Sequence, residues 1–254
     1  MYNPYSLENK TILVTGASSG IGKATAIECS KLGATIIVTG RNKVRLMQTL
    51  NELDTSLKQK HISIIADLST ENGVNDLVSK LPQIDGFSSN AGVTAAIVPV
   101  KFIKEENINT VFNTNFFSHV YLSKLLFKKK LLNKGASVVF TASIGGNFAF
   151  VPGSSLYGSS KAAMNSFMRF CAVEFAPRRI RCNSVCPGMI NTPMTAPGEN
   201  FTDEDYKKDM ENYLVGRYGE PEEVARTILF LLSDASSFIT GATIVVDGGS
   251  SIPH

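Results

Sequence analysis

This sequence has no long apolar run and little net charge. No stretch approaches the roughly 18 consecutive apolar residues that a membrane-spanning helix needs, so we expect no contact with a membrane. The formal net charge is +3 at pH 7 and is evenly spread along the chain, which argues against nucleic-acid binding. The segment from Met1 to Glu8 has no basic stretch followed by an apolar one, so we also expect no secretory signal.

Cysteine is also scarce. The four cysteines, Cys29, Cys171, Cys182 and Cys186, are irregularly spaced, which favours a reducing compartment, and we expect a cytoplasmic location. Cys182 and Cys186 are close in sequence, but no second pair of Cys or His accompanies them. Buried apolar cysteines are therefore favoured over a metal site.

Short β-branched runs alternate with longer helical patterns along the chain. Near-continuous apolar runs of strand length are typical of a parallel sheet that is covered on both faces. Their alternation with helices indicates right-handed crossovers. We therefore expect an α/β doubly wound, mainly parallel sheet with helices on both faces, in a single domain of residues 1–254. The predicted strands are 11–15, 35–39, 62–66, 137–141, 180–185 and 243–246, and the predicted helices are 22–32, 43–58, 113–131 and 155–175.

A glycine-rich turn follows the first predicted strand, in the segment Thr15-Gly16-Ala17-Ser18-Ser19-Gly20-Ile21-Gly22. Glycine is needed where the backbone turns tightly and approaches a pyrophosphate without a Cβ in the way. The helix that follows offers free N–H groups to phosphates. Tight turns use glycine anyway, but a position between a buried strand and a helix is the one that dinucleotide binding requires. The residues predicted to bind here are Gly16, Ser18, Ser19, Gly20, Ile21 and Gly22.

The spacing Thr-Gly-x-x-x-Gly-x-Gly resembles that of the short-chain dehydrogenase/reductase family. Further matches, closest to 3-oxoacyl-reductase-like members, follow in order along nearly the whole chain, although Ser89 stands where the family usually has an Asn. The resemblance implies a Rossmann-type sheet of seven strands. The positions that it adds to the cofactor site are Asp67 and Leu68 beside the adenine, Asn90, Ala91 and Gly92, and Pro187, Gly188, Ile190 and Thr192 beside the nicotinamide.

The residues after the second predicted strand, Arg41 and Asn42, should set the choice of cofactor. An acidic residue there would accept hydrogen bonds from a ribose 2′-hydroxyl and repel a 2′-phosphate. A guanidinium can instead pair with that phosphate in a bidentate manner. We therefore predict NADP rather than NAD, with a merely solvated Arg41 as the alternative.

Tyr157 and Lys161 are four residues apart near the start of a predicted helix, so their side chains project from one face. A free phenol has a pKa near 10, and a nearby ammonium would lower it towards neutrality, which suits acid–base catalysis. Such a pair is by itself a frequent accident on helix surfaces. Its value comes from the other motifs that accompany it.

The family resemblance implies two more catalytic residues. Ser143 ends a predicted strand at its carboxyl edge, where ligands of open sheets bind, and it matches the serine that contacts the substrate oxygen. The step from Ser143 to Tyr157 is one residue longer than is usual in the family, and this places an insertion in the 144–151 loop. Asn115 matches the asparagine that holds a water beside Lys161; Asn113 is a near alternative, and a helix kink is another interpretation of Asn115.

These matches predict reduction of a ketone or 3-oxoacyl carbonyl to a secondary alcohol with NADPH. Alternatives are an NAD-dependent dehydrogenase of alcohols, hydroxysteroids or sugars, and a cofactor-sensing binding protein. The apolar residues expected around the substrate, unless they only pack the covering segment, are Phe148, Phe150, Met189, Ile190, Met194 and Phe201. The resemblance also implies a homo-oligomer, a tetramer or dimer, formed through the helices that begin near Asn113 and Ser155 and through the last strand.

Overall fold

The structure is a computed structural model that describes residues 2–94, 97–195 and 203–253. Seven parallel strands within these ranges form one sheet in the order β3-β2-β1-β4-β5-β6-β7. This confirms the predicted Rossmann-type doubly wound fold. The strands are β1 (Thr11–Thr15), β2 (Thr35–Gly40), β3 (Ile62–Ile65), β4 (Ile84–Ser89), β5 (Leu132–Thr141), β6 (Arg181–Pro187) and β7 (Thr243–Val246).

Helices cover both faces of the sheet, because successive residues of a buried strand point to opposite sides. The helices are α1 (Gly20–Lys31), α2 (Lys43–Asn51), α3 (Glu71–Ser79), α4 (Glu105–Phe112), α5 (Ser118–Lys128), α6 (Ser155–Phe175), α7 (Asp203–Met210) and α8 (Pro221–Leu232). Leu13 packs with α3, α5 and α6, whereas its neighbours Ile12 and Val14 pack with α1, α2 and α8. Within the described ranges, no helix is both long and apolar enough to cross a membrane.

The helix predicted over 22–32 is observed as α1 (Gly20–Lys31), within two residues at each end, and two other helices differ more from the predictions. The helix predicted over 43–58 ends at Asn51, because the Asp54 side chain accepts hydrogen bonds from the backbone and hydroxyl of Ser56 and stabilises a turn instead. The helix predicted over 113–131 is part of a longer run that begins with α4, passes through a π-helical turn at Asn113–Phe117 and continues as α5. The prediction for α6 matches its observed bounds.

The strand order reverses between β1 and β4, which both lie at the centre of the sheet. The loops that follow these two strands leave in opposite directions and open a crevice at the carboxyl edge, where ligands of open α/β sheets bind. The sheet therefore brings together segments that are distant in sequence: the glycine turn after β1, the segment after β4, and Ser143 after β5.

Candidate active site

A cleft of about 450 Å³ lies at this carboxyl edge. Its walls are formed by residues that directly follow six of the strands, β1 to β6. Every residue predicted to bind the cofactor lines the cleft, and so do Ser143, Tyr157 and Lys161. Among the predicted cofactor-binding and catalytic residues, all of which are described, only Asn115 is missing from the lining, because its side chain is fully buried.

The glycine positions of the turn after β1 leave no room for side chains. Gly16 and Gly20 have φ values of 63° and 52°, a backbone conformation that disfavours other residues. A Cβ on Gly16 would lie 2.9 Å from the backbone nitrogen of Ala91, and one on Gly22 would lie 2.4 Å from the carbonyl oxygen of Gly16. The glycines therefore let the turn pack against the segment after β4 and against the start of α1.

The N-terminus of α1 is suited to bind an anion. The side chain of Ser19, at the N-cap, makes no capping hydrogen bond, and the first turn, which is fully described, contains no acidic residue. By contrast, Asn42 caps α2 and Thr70 caps α3. The first N–H groups of α1 thus carry the positive end of the helix dipole into the cleft. A turn with glycines at its crowded positions and a helix start without a side-chain cap together fit the pyrophosphate of a dinucleotide.

The end of the cleft beside β2 and β3 is basic. Arg41 is exposed there, and Arg45, which the sequence predictions missed, also lines the cleft. The Asn42 side chain accepts a hydrogen bond from the Arg45 backbone at 3.0 Å, which fixes the start of α2. Burial opposes ionisation of Asp67, but hydrogen bonds from Ser69 and the charge of Arg41 outweigh this effect and lower the pKa of the carboxyl.

Asn90 ties the central strands together as well as lining the cleft. Its amide nitrogen donates to the Thr15 backbone oxygen at 3.3 Å and to the Ser88 hydroxyl at 2.9 Å. Its amide oxygen accepts from the Thr141 hydroxyl at 2.7 Å. Asn90 therefore joins β1, β4 and β5 at the point where they leave the sheet.

His119 contacts the residues on either side of Asn90, and no sequence motif pointed to it. Its Nε2 lies 2.8 Å from the Ala91 carbonyl oxygen, and its Nδ1 contacts the hydroxyl of Ser89. A carbonyl only accepts, so Nε2 carries the proton and the Ser89 hydroxyl donates to Nδ1. Burial, with the charge of Lys161, lowers the pKa of His119 to about 3 and keeps the ring neutral. Ser89, which departs from the family pattern, thus has a partner.

Ser143, Tyr157 and Lys161 come together beside this segment. The Ser143 hydroxyl lies close enough to the Tyr157 phenol to lower the pKa of that phenol, and it accepts a hydrogen bond from the Gly145 backbone at 3.0 Å. The Lys161 ammonium donates to the Thr141 backbone oxygen at 3.0 Å and lies 5.8 Å from the centre of the Tyr157 ring. The two hydroxyl-bearing side chains therefore lie side by side in the cleft lining, with the ammonium close by.

The ionisation of this group differs from the prediction. Burial of the phenol raises the pKa of Tyr157, and the hydrogen bond with Ser143 offsets only part of that rise. Burial also lowers the pKa of Lys161 to about 8. Since the lysine loses its proton before the tyrosine does, its charge is gone in the pH range where it would have to stabilise a phenolate. The protein by itself therefore does not lower the pKa of Tyr157.

Asn115 lies in the π-helical turn, consistent with the helix-kink interpretation. Its amide oxygen accepts from the Val93 backbone at 2.8 Å, and its amide nitrogen donates to the Val93 carbonyl at 3.0 Å and to the Ser160 hydroxyl at 3.3 Å. Asn115 thus fixes the segment after Gly92 against α6. A π-helical turn inside a helix is often associated with a functional site.

The substrate end of the cleft is less apolar than expected. Ile190 and Met194 line it together with Val93, Thr114 and Thr195. Phe148 and Phe150, predicted to surround the substrate, are exposed and lie outside the lining as described, and Met189 is outside it too. Phe201 lies outside the described residues.

Comparisons with known proteins place the chain in a family. A family model described as enoyl-(acyl carrier protein) reductase matches residues 16–251. The chain is 35% identical over 247 residues to the 3-oxoacyl-[acyl-carrier-protein] reductase FabG of Thermotoga maritima, a match that covers 96% of this chain and 98% of the relative. It is also 35% identical to a tropinone reductase homolog of Arabidopsis thaliana, over 98% of this chain and 92% of that protein.

Solved structures agree with these sequence matches. A short-chain type dehydrogenase/reductase from Mycobacterium marinum superposes with a TM-score of 0.87 at 31% identity, covering 98% of both chains. The similarity therefore extends over the whole sheet and its helices and is not limited to the glycine turn. The chain belongs to the short-chain dehydrogenase/reductase family, whose members are oxidoreductases that use a nicotinamide cofactor.

Proposed function

We propose that this protein reduces a ketone or a 3-oxoacyl carbonyl to a secondary alcohol with NADPH. The observation that carries the proposal is that Ser143 and Tyr157, which both bear hydroxyls, lie side by side in the cleft near the Lys161 ammonium. Two hydroxyl donors that converge on one point suit an oxygen that gains negative charge during the reaction. The names of two relatives, a 3-oxoacyl reductase and a tropinone reductase homolog, support a carbonyl substrate.

The cofactor would lie along the cleft, with its pyrophosphate at the N-terminus of α1. Arg41, together with Arg45, supports NADP, because guanidinium groups form strong, bidentate hydrogen bonds with phosphate. Lys161 would bind the ribose beside the nicotinamide. When bound, the cofactor supplies the hydride.

The chain's own residues then orient the carbonyl and supply the proton. The Gly145 backbone donates to the Ser143 oxygen, so the Ser143 proton is free to bond the substrate oxygen and hold the carbonyl in place. Tyr157 transfers its phenolic proton to the oxygen as the carbon is reduced. Lys161 and solvent return a proton to Tyr157. Asn115 holds the Val93 backbone in place beside this group.

The raised pKa of Tyr157 supports reduction over oxidation. Burial keeps the phenol protonated at neutral pH, and an alkoxide is a much stronger base than a phenolate, so transfer of the proton to the newly formed oxygen is downhill. Oxidation of an alcohol would instead need the phenolate as a base, which burial disfavours.

We propose further that the protein works as a homo-oligomer in a reducing compartment, the cytoplasm, with cofactor and substrate bound in one domain. Exposed apolar side chains on neighbouring helices support the oligomer: Phe117 and Tyr121 at and after the π-helical turn, and Phe170 and Val173 on α6. Four free and buried cysteines support the location.

The test is a panel of ketones, 3-oxoacyl thioesters and enoyl thioesters, each assayed with NADPH and with NADH. We expect carbonyl reduction by the wild type and a loss of about 10²- to 10⁴-fold in kcat for Tyr157→Phe, the range that general acid catalysis supplies. Tyr5→Phe, at an exposed tyrosine that does not line the cleft as described, is the matched control and should keep full activity. Full activity of Tyr157→Phe, or reduction of enoyl substrates alone, would contradict the proposal.

A further inference from the structure

The loop after Ser143 folds back on itself and points one side chain at Ser143. The backbone amides of Asn147, Phe148 and Ala149 all donate to the Ile144 carbonyl, at 3.0, 2.8 and 3.0 Å. The loop is therefore a closed turn. Its shape brings the Asn147 amide nitrogen to 2.9 Å from the Ser143 carbonyl oxygen, to which it donates a hydrogen bond.

A chain of hydrogen bonds continues from Asn147 into the core. Asn165, on α6, donates from its amide nitrogen to the Asn147 amide oxygen at 3.0 Å. The Asn165 amide oxygen accepts from the hydroxyls of Ser184 on β6 and Thr243 on β7, at 2.6 and 2.7 Å. Ser143 is thus connected to the last two strands of the sheet through two asparagine side chains.

The direction of every hydrogen bond in this series is determined by the groups at its two ends, the Ser143 carbonyl and the two hydroxyls. The Ser143 carbonyl can only accept, so Asn147 must turn its amide nitrogen towards it and its amide oxygen towards α6. Asn165 must therefore also present its amide nitrogen, which leaves its oxygen for the two hydroxyl donors. Asn165 is only 4% exposed, and a buried amide left without a partner is costly. One arrangement is therefore strongly preferred.

The same face of α6 carries the catalytic pair. Tyr157, Lys161 and Asn165 follow one another at intervals of four residues, so they lie along one side of the helix. The Asn147–Asn165 contact therefore joins the loop that begins at Ser143 to the helix that holds Tyr157. The loop also provides the Gly145 amide that donates to the Ser143 hydroxyl, so a displaced loop would misdirect that hydroxyl.

We propose that Asn147 and Asn165 are positioning residues that set the Ser143 hydroxyl relative to Tyr157. This inference rests on the proposed carbonyl reduction. It gives the longer loop after Ser143 a role, since the loop residue Asn147 holds the carbonyl of Ser143 and is in turn held by the core. Neither asparagine itself lines the cleft as described, so both act through Ser143.

The test compares Asn147→Ala, Asn165→Ala and the double variant with Asn183→Ala. Asn183 is a matched control: it is fully buried on β6, and its side chain bonds the backbone of Ile239 and Ala242 at 2.9 and 3.0 Å, away from Ser143. We expect each of the first two variants to lose about 10- to 100-fold in kcat/KM for the carbonyl substrate, the effect of a displacement of about 1 Å. The double variant should lose no more kcat/KM than the more impaired of the two single variants, because all three variants break the same chain of hydrogen bonds.

Two further measurements separate positioning from general damage. NADPH affinity, followed by fluorescence titration, should stay unchanged in all variants, and Asn183→Ala should lose thermal stability while keeping its kcat/KM. Wild-type kcat/KM in Asn147→Ala or Asn165→Ala, losses that multiply in the double variant, or an equal loss in Asn183→Ala would overturn the inference.

Hydrogen exchange gives a result that does not depend on turnover. Amides of residues 144–151 should exchange faster in Asn165→Ala than in the wild type, whereas those of β1 should not change. Unchanged exchange in the loop would overturn the positioning role even if the wild type reduced no carbonyl in the panel. That second outcome alone would instead contradict the proposed function, so the two failures can be told apart.

Discussion

The charge of Lys161 is lost at a pH only slightly above neutral. Burial lowers the pKa of its ammonium to about 8, while burial raises the pKa of Tyr157. At neutral pH both groups therefore keep their protons, and the lysine is the first to lose one as the pH rises. In the proposed reduction the charged lysine binds the ribose and returns a proton to Tyr157, so activity should follow its charge.

The expected result is a pH profile of reductase kcat/KM that is flat below about pH 8 and falls above it. The sign follows from the lysine: its charged form exists below its pKa and is lost above it. Lys161→Arg, which stays charged to above about pH 12, should have lower activity but no such limb. A wild-type limb only near about pH 10, where ordinary lysine titrates, would contradict this account.

Arg41 should decide between the two nicotinamide cofactors. A charge-assisted hydrogen bond contributes about 1.5–3 kcal/mol, so Arg41→Ala should raise the KM for NADPH about 10- to 100-fold and leave the KM for NADH unchanged. Arg45→Ala should have a smaller effect in the same direction, because the Arg41 guanidinium is retained in that variant. Steady-state kinetics with both cofactors measure this.

The control for these variants is Arg226→Ala, at an exposed arginine whose guanidinium lies 3.7 Å from Glu28. It should leave both KM values unchanged. Equal losses with NADPH and NADH in Arg41→Ala would mean that Arg41 acts on the loop and not on a phosphate.

Single residues of the site could be predicted where the reason for them is local. Gly16 and Tyr157 stand at fixed distances from a strand end or a helix start, and the sheet brings such positions to one edge. The sequence did not reveal His119, because its partners, Ser89 and Ala91, lie about thirty residues away and are reached only when α5 packs on the sheet. Arg45 was missed because no motif marks it and it reaches the cleft only through its place in the first turn of α2.

At the scale of elements, the π-helical turn at Asn113–Phe117 is the clearest departure from the sequence pattern. A π-helical turn adds one residue to an otherwise regular helix, and it shifts the apolar period without breaking it. The pattern therefore predicted one helix and missed α4. The turn directs Asn115 towards Val93, which a regular helix need not do.

The loop before α6 offers a test of close packing between elements. Gly146 has a φ of 78°, and a Cβ there would lie 2.1 Å from the Gly158 carbonyl oxygen in the first turns of α6. Gly146→Ala must therefore push the loop away from the helix that carries Tyr157. We expect it to lower the free energy of unfolding by about 2–5 kcal/mol, from backbone strain and overpacking together, and to reduce kcat/KM. Urea unfolding and the reductase assay measure the two effects.

Gly135→Ala separates strain from packing. Gly135 has a similar φ of 83°, but a Cβ there would meet nothing within 4 Å among the described residues. It should therefore cost only the backbone strain, about 1–2 kcal/mol, and leave kcat/KM unchanged. Equal destabilisation by the two substitutions would show that the contact with Gly158 contributes nothing.

At the scale of the whole molecule, the sheet could be predicted from its apolar strands. The one described strand that the apolar pattern did not predict is the polar strand β4. Most strands are short apolar runs that any doubly wound sheet would bury. β4 contains Asp85, whose carboxylate accepts from the Thr11 backbone at 2.9 Å and from the Asn133 side chain at 2.8 Å. A charged residue in a strand contradicts the apolar pattern until its partners on the neighbouring strands β1 and β5 are known.

Exposed apolar side chains on two helices bear on how whole molecules assemble. Phe170 and Val173 on α6 are 64% and 74% exposed. Phe117, at the end of the π-helical turn, and Tyr121 on α5 are also exposed. Apolar side chains grouped on the outer surface of helices often mark a contact with another protein. A second copy of the chain is the partner that the proposed oligomer supplies.

Light scattering after size-exclusion chromatography should give the wild type the mass of a dimer or tetramer. Val173→Glu combined with Phe170→Glu should lower that mass, because the desolvation of two carboxylates opposes association. Val44→Glu is the matched control, since Val44 is 69% exposed on α2, on the opposite face of the sheet from α6; it should keep the wild-type mass. A monomeric wild type, or a double variant of unchanged mass, would exclude this surface as the interface. Because the same helix carries Tyr157 and Lys161, loss of the contact should also lower thermal stability in the presence of NADPH.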